Sequence, residues 1–308
     1  MDSNTKQIKA PHDDLISNLH DQLLCSIISY LPTKEAITTS TYSKRWKFLW
    51  RSLTRLSLPR RRRGRRQQQY STPAPSIVDK ILSSQIGNVI EFFHMHHLPQ
   101  DWSTSNNNNN NNNSNMQRWI EHLKNEKKLG GISLSCQNNI YRSPHLYEVP
   151  RGIFHGKFLQ FVELNKYVLS SASPFEGCVN VKTLKLTAVT LKGGETLADI
   201  IGNCASLENL SLRACYNKKG QFNIHIQHEK LMMIEFNDIH ITKFCLICET
   251  LNELVFENSS YSSEESHNIQ CPNIRIIRTN NHDLLDWCIG LRVSFFFCFP
   301  LLYELLFF

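Results

Sequence analysis

Residues 207–212 read Leu207-Glu208-Asn209-Leu210-Ser211-Leu212, with apolar side chains spaced L-x-x-L-x-L and polar ones between them. Side chains alternate between the two faces of a strand, so this spacing describes a strand with one face buried. The pattern recurs at Leu129/Ile132/Leu134, Leu159/Val162/Leu164 and Val181/Leu184/Leu186, and again at Leu231/Ile234/Phe236, Leu251/Leu254/Phe256 and Ile274/Ile277/Thr279. From Leu159 to Ile274 the steps are 22, 26, 24, 20 and 23 residues. In a chain that is 41% apolar, three fixed positions match by chance in roughly one register of 15, so single matches carry no weight. A fixed cysteine offset does. Cys178, Cys204, Cys248 and Cys271 each stand three residues before the first apolar position of their repeat, as a small, buried, polarizable side chain at the turn into each strand would.

A period of about 20–29 residues built on such a strand is the spacing of leucine-rich repeats. Each unit buries its face only against its neighbours, which predicts an α/β solenoid with a curved parallel sheet over residues 76–308. Crossover helices are expected around Ile77, Ile81 and Leu82, around Met116, Trp119, Ile120 and Leu123, and around Leu197, Ile200 and Ile201. The apolar run from Phe295 to Phe308 reads as one more repeat about Leu302/Leu305/Phe307, too short for a spanning helix. With the apolar positions turned inward, the intervening side chains line the inner curve. Lys185, Arg213, Glu235, Glu253 and Glu257 are the candidate target-binding residues there, with Met233 and Val255 between them. A face of mixed charge suits a folded protein partner.

Residues 12–56 read as a helical unit. Leu19, Leu23, Leu24, Ile27, Ile28 and Leu31 recur at three- and four-residue steps, predicting a helix that starts near Asp21 and stops at Pro32. Thr33 is the expected cap of a second helix carrying Ala36, Ile37 and Ser40. Ser43 is the expected cap of a third with Trp46, Leu49 and Trp50 on one face. A unit of about 40 residues buries too little surface to stand alone, so it should lean on the rest of the chain. Residues 57–75 hold six arginines between Arg60 and Arg66, followed by Gln67 to Gln69. They lack apolar periodicity and predict an exposed basic linker or loop. Asn106 to Asn113 predicts another loop.

Lys and Arg total 34 against 27 Asp and Glu, a net charge of +7 that is largely local to the arginine run. No apolar stretch approaches a membrane span, and the first residues lack the apolar core of a secretory signal. The ten cysteines are therefore expected as reduced thiols in the nucleus, the cytoplasm or both. The arginine run fits a nuclear address or a solvated loop; without interleaved aromatics it does not predict nucleic-acid binding. Cys245 and Cys248 lack a second pair at zinc spacing, and the spacing of His94, His96 and His97 suits a solvated strand end. No G-x-S-x-G, P-loop or H-E-x-x-H motif occurs, so no catalysis, cofactor or metal is expected.

Asp14-Leu15-Ile16-Ser17-Asn18-Leu19, then Leu23-Leu24, Ile27, Leu31-Pro32-Thr33-Lys34, Ser43-Lys44-Arg45-Trp46 and Leu49-Trp50, in that order and spacing, resemble the F-box of plant F-box/leucine-rich-repeat proteins of the F-box/FBD/LRR type. The resemblance implies a non-catalytic substrate receptor of an SCF-type, cullin–RING ubiquitin ligase. Its F-box would bind a Skp-type adaptor, and through it a cullin, while the repeats hold a target protein. It also implies that Leu19, His20, Leu23, Leu24, Ile27, Leu31, Pro32 and Trp46 meet the adaptor. The family usually has proline at the position of His20 and a smaller aliphatic residue at that of Tyr42, and a complete C-terminal FBD domain is expected to be missing. A second reading stays open, that of a leucine-rich-repeat interaction scaffold uncoupled from a ligase and acting in the nucleus.

Overall fold

The computed structural model describes residues 15–16, 18–58, 61–62, 70–71, 73–98, 102, 114–136, 149–193, 196–217, 222–261, 268–280 and 294–297. Arg60, Arg63, Arg65 and Arg66 of the basic run, the tract Asn106 to Asn113, and the proposed repeat at Leu302/Leu305/Phe307 lie outside the described residues.

Ten strands form one parallel sheet in chain order: Arg55–Leu58, Phe92–His97, Gly131–Cys136, Phe161–Asn165, Thr183–Thr187, Asn209–Arg213, Met233–Asn237, Glu253–Glu257, Ile276–Thr279 and Ser294–Phe297. The register aligns the middle apolar position of every repeat, from Leu56 and Phe93 through Leu184 and Leu210 to Leu254 and Ile277. None of these side chains is more than 1% exposed. Each contributes roughly 1.5–3 kcal/mol by leaving water. Helices α3 (Pro75–Ser84), α4 (Asn115–Asn125) and α5 (Thr196–Gly202) supply crossovers. In α3 the buried positions are Val78, Ile81 and Leu82, whereas Ile77 is half exposed, so the inward face is rotated by one residue from the expected one. Farther along, Phe236 stacks on Phe256 at 5.3 Å, and Phe244 from His240–Ile247, a strand of a second sheet, packs against both. Among the described residues no helix is long and apolar enough to cross a membrane.

The sheet begins earlier than the repeat spacing predicted. Leu53/Leu56/Leu58 and Ile90/Phe93/Met95 obey the same L-x-x-L-x-L rule, and all six are buried. Their steps to the next repeat, 37 and 39 residues, are long because the basic segment with α3, and then the asparagine tract with α4, are inserted between strands. The first strand thus crosses the expected boundary at residue 57. Within the expected loop, Arg61–Arg62 pairs antiparallel with Tyr70–Ser71, a backbone pairing that needs no apolar period.

The N-terminal unit leans on this first strand. Thr33 is not the cap of α2 (Thr33–Thr38) but its first residue; Pro32 occupies the cap and makes no side-chain bond. Fully buried, the Thr33 hydroxyl instead accepts the backbone N–H of Ser57 at 2.8 Å. That N–H points away from the sheet, where an edge strand would otherwise leave it open. Three more bonds close the joint: Arg51 Nε to the Ser84 carbonyl, Ile86 N–H to the Arg51 carbonyl, and Gln85 Nε2 to the Trp50 carbonyl.

Each turn out of the central strands uses a left-handed residue that is not glycine. Lys166, Ala188, Ala214, Asp238 and Asn258 have φ between 49° and 60°, and each follows its strand directly. Lys166, Ala188, Ala214 and Asp238 donate their N–H to the carbonyl ending the next strand, at Thr187, Arg213, Asn237 and Glu257. Asn258 donates to the Asn280 side chain instead. On the entering side, the carbonyls of Cys178, Cys204, Cys248 and Cys271 accept the N–H three residues on, a turn that sets the three-residue spacing. Cys178, Cys204 and Cys248 are buried and Cys271 is partly exposed. A hydrogen bond with Cys204, helped by burial, pushes the Cys178 thiol up and keeps it protonated.

His97 departs from the expected solvated strand end. It alternates with Phe93 and Met95 onto the core face, is fully buried, bonds the Tyr167 hydroxyl and the Leu98 carbonyl, and meets the Trp102 ring edge-on. Burial lowers its pKa to about 4. His94 stays half-buried on the opposite face.

Three expectations follow from these contacts. Because unfolded His97 titrates near 6.5 and folded His97 near 4, the unfolded chain binds the extra proton between them; stability should fall by roughly 3 kcal/mol from above pH 6.5 to below pH 4. His97→Gln should flatten that part of the curve in pH-dependent urea unfolding. Ala188→Gly and Ala214→Gly should each stabilise by ~0.5–1 kcal/mol, since relief of left-handed strain exceeds glycine's entropic cost, whereas Ala36→Gly inside α2 should destabilise. Thr33→Val should cost about 1–3 kcal/mol by orphaning the Ser57 N–H, seen as a lowered urea midpoint.

Candidate functional site

Two surfaces present side chains that the core does not use. The first is the exterior of the N-terminal unit. Helix α1 (Asp21–Ile28) buries Leu24 and Ile28 against Ala36, Leu49 and Leu53. Its opposite side presents Leu23 and Ile27, 56% and 52% exposed. They lie one helical turn apart, on a single stripe. Leu15, Ile16, Tyr30, Tyr42 and Phe48 add further exposed apolar surface. Tyr30 and Phe48 border a groove of about 720 Å³ that runs past Asp21, Arg45 and Arg55.

The predicted adaptor residues divide on this geometry. Leu23, Ile27 and His20 face solvent; Leu19, Leu31 and Trp46 are partly buried and packed on the core, and Pro32 is half-buried. Leu24 has no exposed surface and points into the core, so it holds α1 in place and cannot touch a docked protein directly. A stripe of i, i+3 and i+4 positions is wide enough to wrap from one side of a short helix to the other, which is why sequence spacing grouped Leu24 with Leu23. His20 is the N-cap of α1, with φ −65° and its Nδ1 accepting from Gln22 N–H at 3.4 Å. That φ is the value proline would fix, so the unusual residue keeps the backbone geometry of the usual one. Asp21 pairs with Arg45 at 2.7 Å, and Arg45 also reaches the Leu19 carbonyl, tying the entry of α1 to the 3-10 helix Trp46–Ser52, which Arg45 precedes. Spacing alone missed Tyr30 and Phe48. Their only sequence signal is that each sits off the buried stripe of its own segment.

The second surface is the open face of the sheet. The register places Ser57, His94, Ser133, Glu163, Lys185, Ser211, Glu235, Val255 and Arg278 in one row across it. Arg213, Asn237 and Glu257 stand in the next row, and Met233 and Glu253 in the one before. All five predicted target-binding residues are therefore on this face. Their states differ. Lys185 and Arg213 are exposed. Glu235 accepts from the Ser211 hydroxyl at 2.8 Å, Glu257 from Asn237 Nδ2 at 2.6 Å, and Glu253 pairs with Arg278 at 2.9 Å. Val255, expected to face out, is only 5% exposed between its charged neighbours. His94, Ser133 and Glu163 form a chain: Ser133 Oγ donates to Glu163 at 2.6 Å and lies 3.0 Å from His94 Nδ1. Burial lowers the His94 pKa and Glu163 opposes the shift. With its hydroxyl proton committed to the carboxylate, Ser133 is a structural link and not an activated nucleophile. Among the described residues no group of three His, Cys, Asp or Glu side chains is gathered to hold a metal.

Residues 16–58 match the F-box domain family. The F-box protein At1g80960 of Arabidopsis thaliana is 25% identical over 241 residues, covering 77% of this chain and 48% of that protein. Two F-box/FBD/LRR-repeat proteins of the same plant, At5g56420 and At1g78750, are 26% and 27% identical, over 66% and 90% of this chain and 44% and 55% of their own lengths. The chain spans about half the length of these curated relatives. F-box domains generally bind Skp1-type adaptors within SCF complexes. The chain carries an F-box joined to a large parallel sheet of leucine-rich-repeat spacing, and it is similar along most of its length to plant proteins of the F-box/LRR type.

Proposed function

We propose that this chain is the substrate-recognition subunit of an SCF-type ubiquitin ligase, acting in the nucleus, the cytoplasm or both. The F-box exterior docks a Skp-type adaptor, which links it to a cullin, and the open face of the sheet holds the protein to be ubiquitinated. The chain contributes positioning and no chemistry of its own.

The observation that carries this reading is the pair Leu23 and Ile27, each more than half exposed on a helix whose other face is fully buried. Apolar side chains scattered singly over a surface need no explanation, but a contiguous set on one outer face marks an interaction site. Tyr30, three residues beyond Ile27, continues the stripe and is itself exposed. Covering Leu23 and Ile27 with a partner recovers the burial their helix leaves unused.

The test is co-purification of the full chain with a recombinant Skp-type adaptor. Leu23→Asp and Ile27→Asp should each weaken binding by two orders of magnitude or more, since docking would desolvate an unpaired carboxylate at a cost of several kcal/mol. Neither change should lower the unfolding free energy by more than about 0.5 kcal/mol in urea titration, because both sites are solvated in the free chain. Failure of the parent chain to co-purify with the adaptor would refute the receptor reading and leave the uncoupled scaffold in its place, and binding that survives both substitutions would refute docking through Leu23 and Ile27.

A further inference from the structure

The open face is not uniform along the array. On the later strands its carboxylates are met from within: Glu235 by Ser211, Glu257 by Asn237 and Glu253 by Arg278. The earlier strands and the segments that enter them carry cations instead. Arg55, Lys128, Lys157 and Lys185 are all exposed. Among the described residues the ion pairs are made by Arg45, Arg118, Arg151, Lys182 and Arg278, and by none of these four.

What these cations touch is aromatic. The Arg55 guanidinium lies 5.0 Å from the Phe92 ring centre, and Lys185 Nζ lies 5.9 Å from that of Phe161. The Phe92 and Phe161 rings are 5.6 Å apart, tilted by 58°. They meet across Gly131, where an added Cβ would lie 3.0 Å from the Phe92 ring and 3.2 Å from Phe161; the missing side chain is what lets two rings from non-adjacent strands touch. Three residues before Gly131 and four before Phe161, at the entry to the same two strands, Lys128 and Lys157 each lie 5.5 Å from the centre of the exposed Phe158 ring. Cations resting on ring faces are held in place without being neutralised. Two carboxylates share the region. Glu163 is occupied by the Ser133 hydroxyl, and exposed Glu91 sits at the margin beside Gly130.

We propose that this cation–aromatic platform, built from Arg55, Phe92, Phe161 and Lys185 with Lys128 and Lys157 at its entry, is a binding site for an acidic polypeptide segment. The proposal rests on the receptor reading only in taking that segment to belong to the target. Charge complementarity selects the occupant: four unpaired cations over a short span attract carboxylates, and the half-exposed rings offer flat apolar area for the peptide backbone and its side chains. The acidic half of the face, already satisfied internally, adds little attraction for a basic partner.

The experiment uses the full-length chain and fluorescence anisotropy with a labelled Glu/Asp-rich peptide, its Gln/Asn counterpart, and a single-stranded oligouridylate. The acidic peptide should bind and the neutral one should not. Arg55→Gln combined with Lys185→Gln should weaken the acidic peptide by about tenfold or more at low salt, with the loss shrinking as salt rises. Phe161→Ala should weaken it at every salt concentration, and Lys243→Gln, on the strand His240–Ile247 of a separate sheet, should not. Failure of the parent chain to bind the acidic peptide, or equal binding by the Arg55/Lys185 double variant, would overturn the proposal. So would tighter binding of the oligouridylate, lost in the same variant, which would make the platform a nucleic-acid site. Since Arg55 and Lys185 are exposed, their variants keep the fold. Adaptor co-purification of the same variants separates loss of this site from loss of the F-box function.

Discussion

One strand belongs to both parts of the chain. Arg55–Leu58 closes the segment that matches the F-box family and opens the ten-stranded sheet. Everything else is arranged around that sharing. An edge strand leaves backbone groups facing outward, and a three-helix unit of this size lacks a core of its own. Each deficit answers the other. Thr33 satisfies the outward N–H of Ser57, while Leu53, Leu56 and Leu58 complete the core on which Leu24, Ile28 and Leu49 pack. The helical unit is in effect the N-terminal cap of the repeat array, and terminal caps are what such arrays require.

Along the array the same economy is repeated in the backbone. A left-handed residue at an identical place in five successive turns could be expected to be glycine, yet lysine, alanine, aspartate and asparagine occupy those places. Each costs on the order of 1 kcal/mol, and each turns its N–H toward the neighbouring strand's last carbonyl or, at the end of the series, the Asn280 side chain. The strain therefore holds neighbouring repeats in register. This bond is local to the pair of repeats that makes it, so a defect in one turn is felt by its neighbour first.

How much of this was legible in the sequence follows from what spacing can encode. The L-x-x-L-x-L rule found the central strands because burial acts directly on side-chain type at fixed positions. It passed over Leu53 and Ile90 because the interval, not the strand, was irregular. Cysteine marked the entering turns since a small buried side chain is needed there; the leaving turns stayed invisible because left-handed geometry was met without glycine. His97 was misplaced for a related reason. Its polar identity suggested water, but strand alternation puts it with Phe93 and Met95, where Tyr167 and Trp102 receive it. For the F-box surface, spacing located the helix but not which of Leu23 and Leu24 faced outward, a distinction of one residue that only packing decides. On the sheet, sequence named charged residues on the correct face but could not show that the acidic ones were already satisfied while Lys185 was not.

The shared strand also constrains how the two surfaces can work together. Two binding modules joined by a flexible linker sample many relative positions, and the second binding event then depends on linker length. Here no linker intervenes: Leu53 ends the helical unit, and Arg55, two residues on, stands on the open face over Phe92. On the proposed reading, the adaptor and the target are held at a separation set by strand geometry, with each step along the sheet adding about 4.8 Å. A target seated over Arg55 and Phe161 would lie within three strand spacings of the F-box, whereas one seated over Glu253 would lie seven strand spacings away. On that reading, the position of the cationic platform at the near end would set not only which chemistry is recognised but also how closely the bound segment approaches the ligase attachment point.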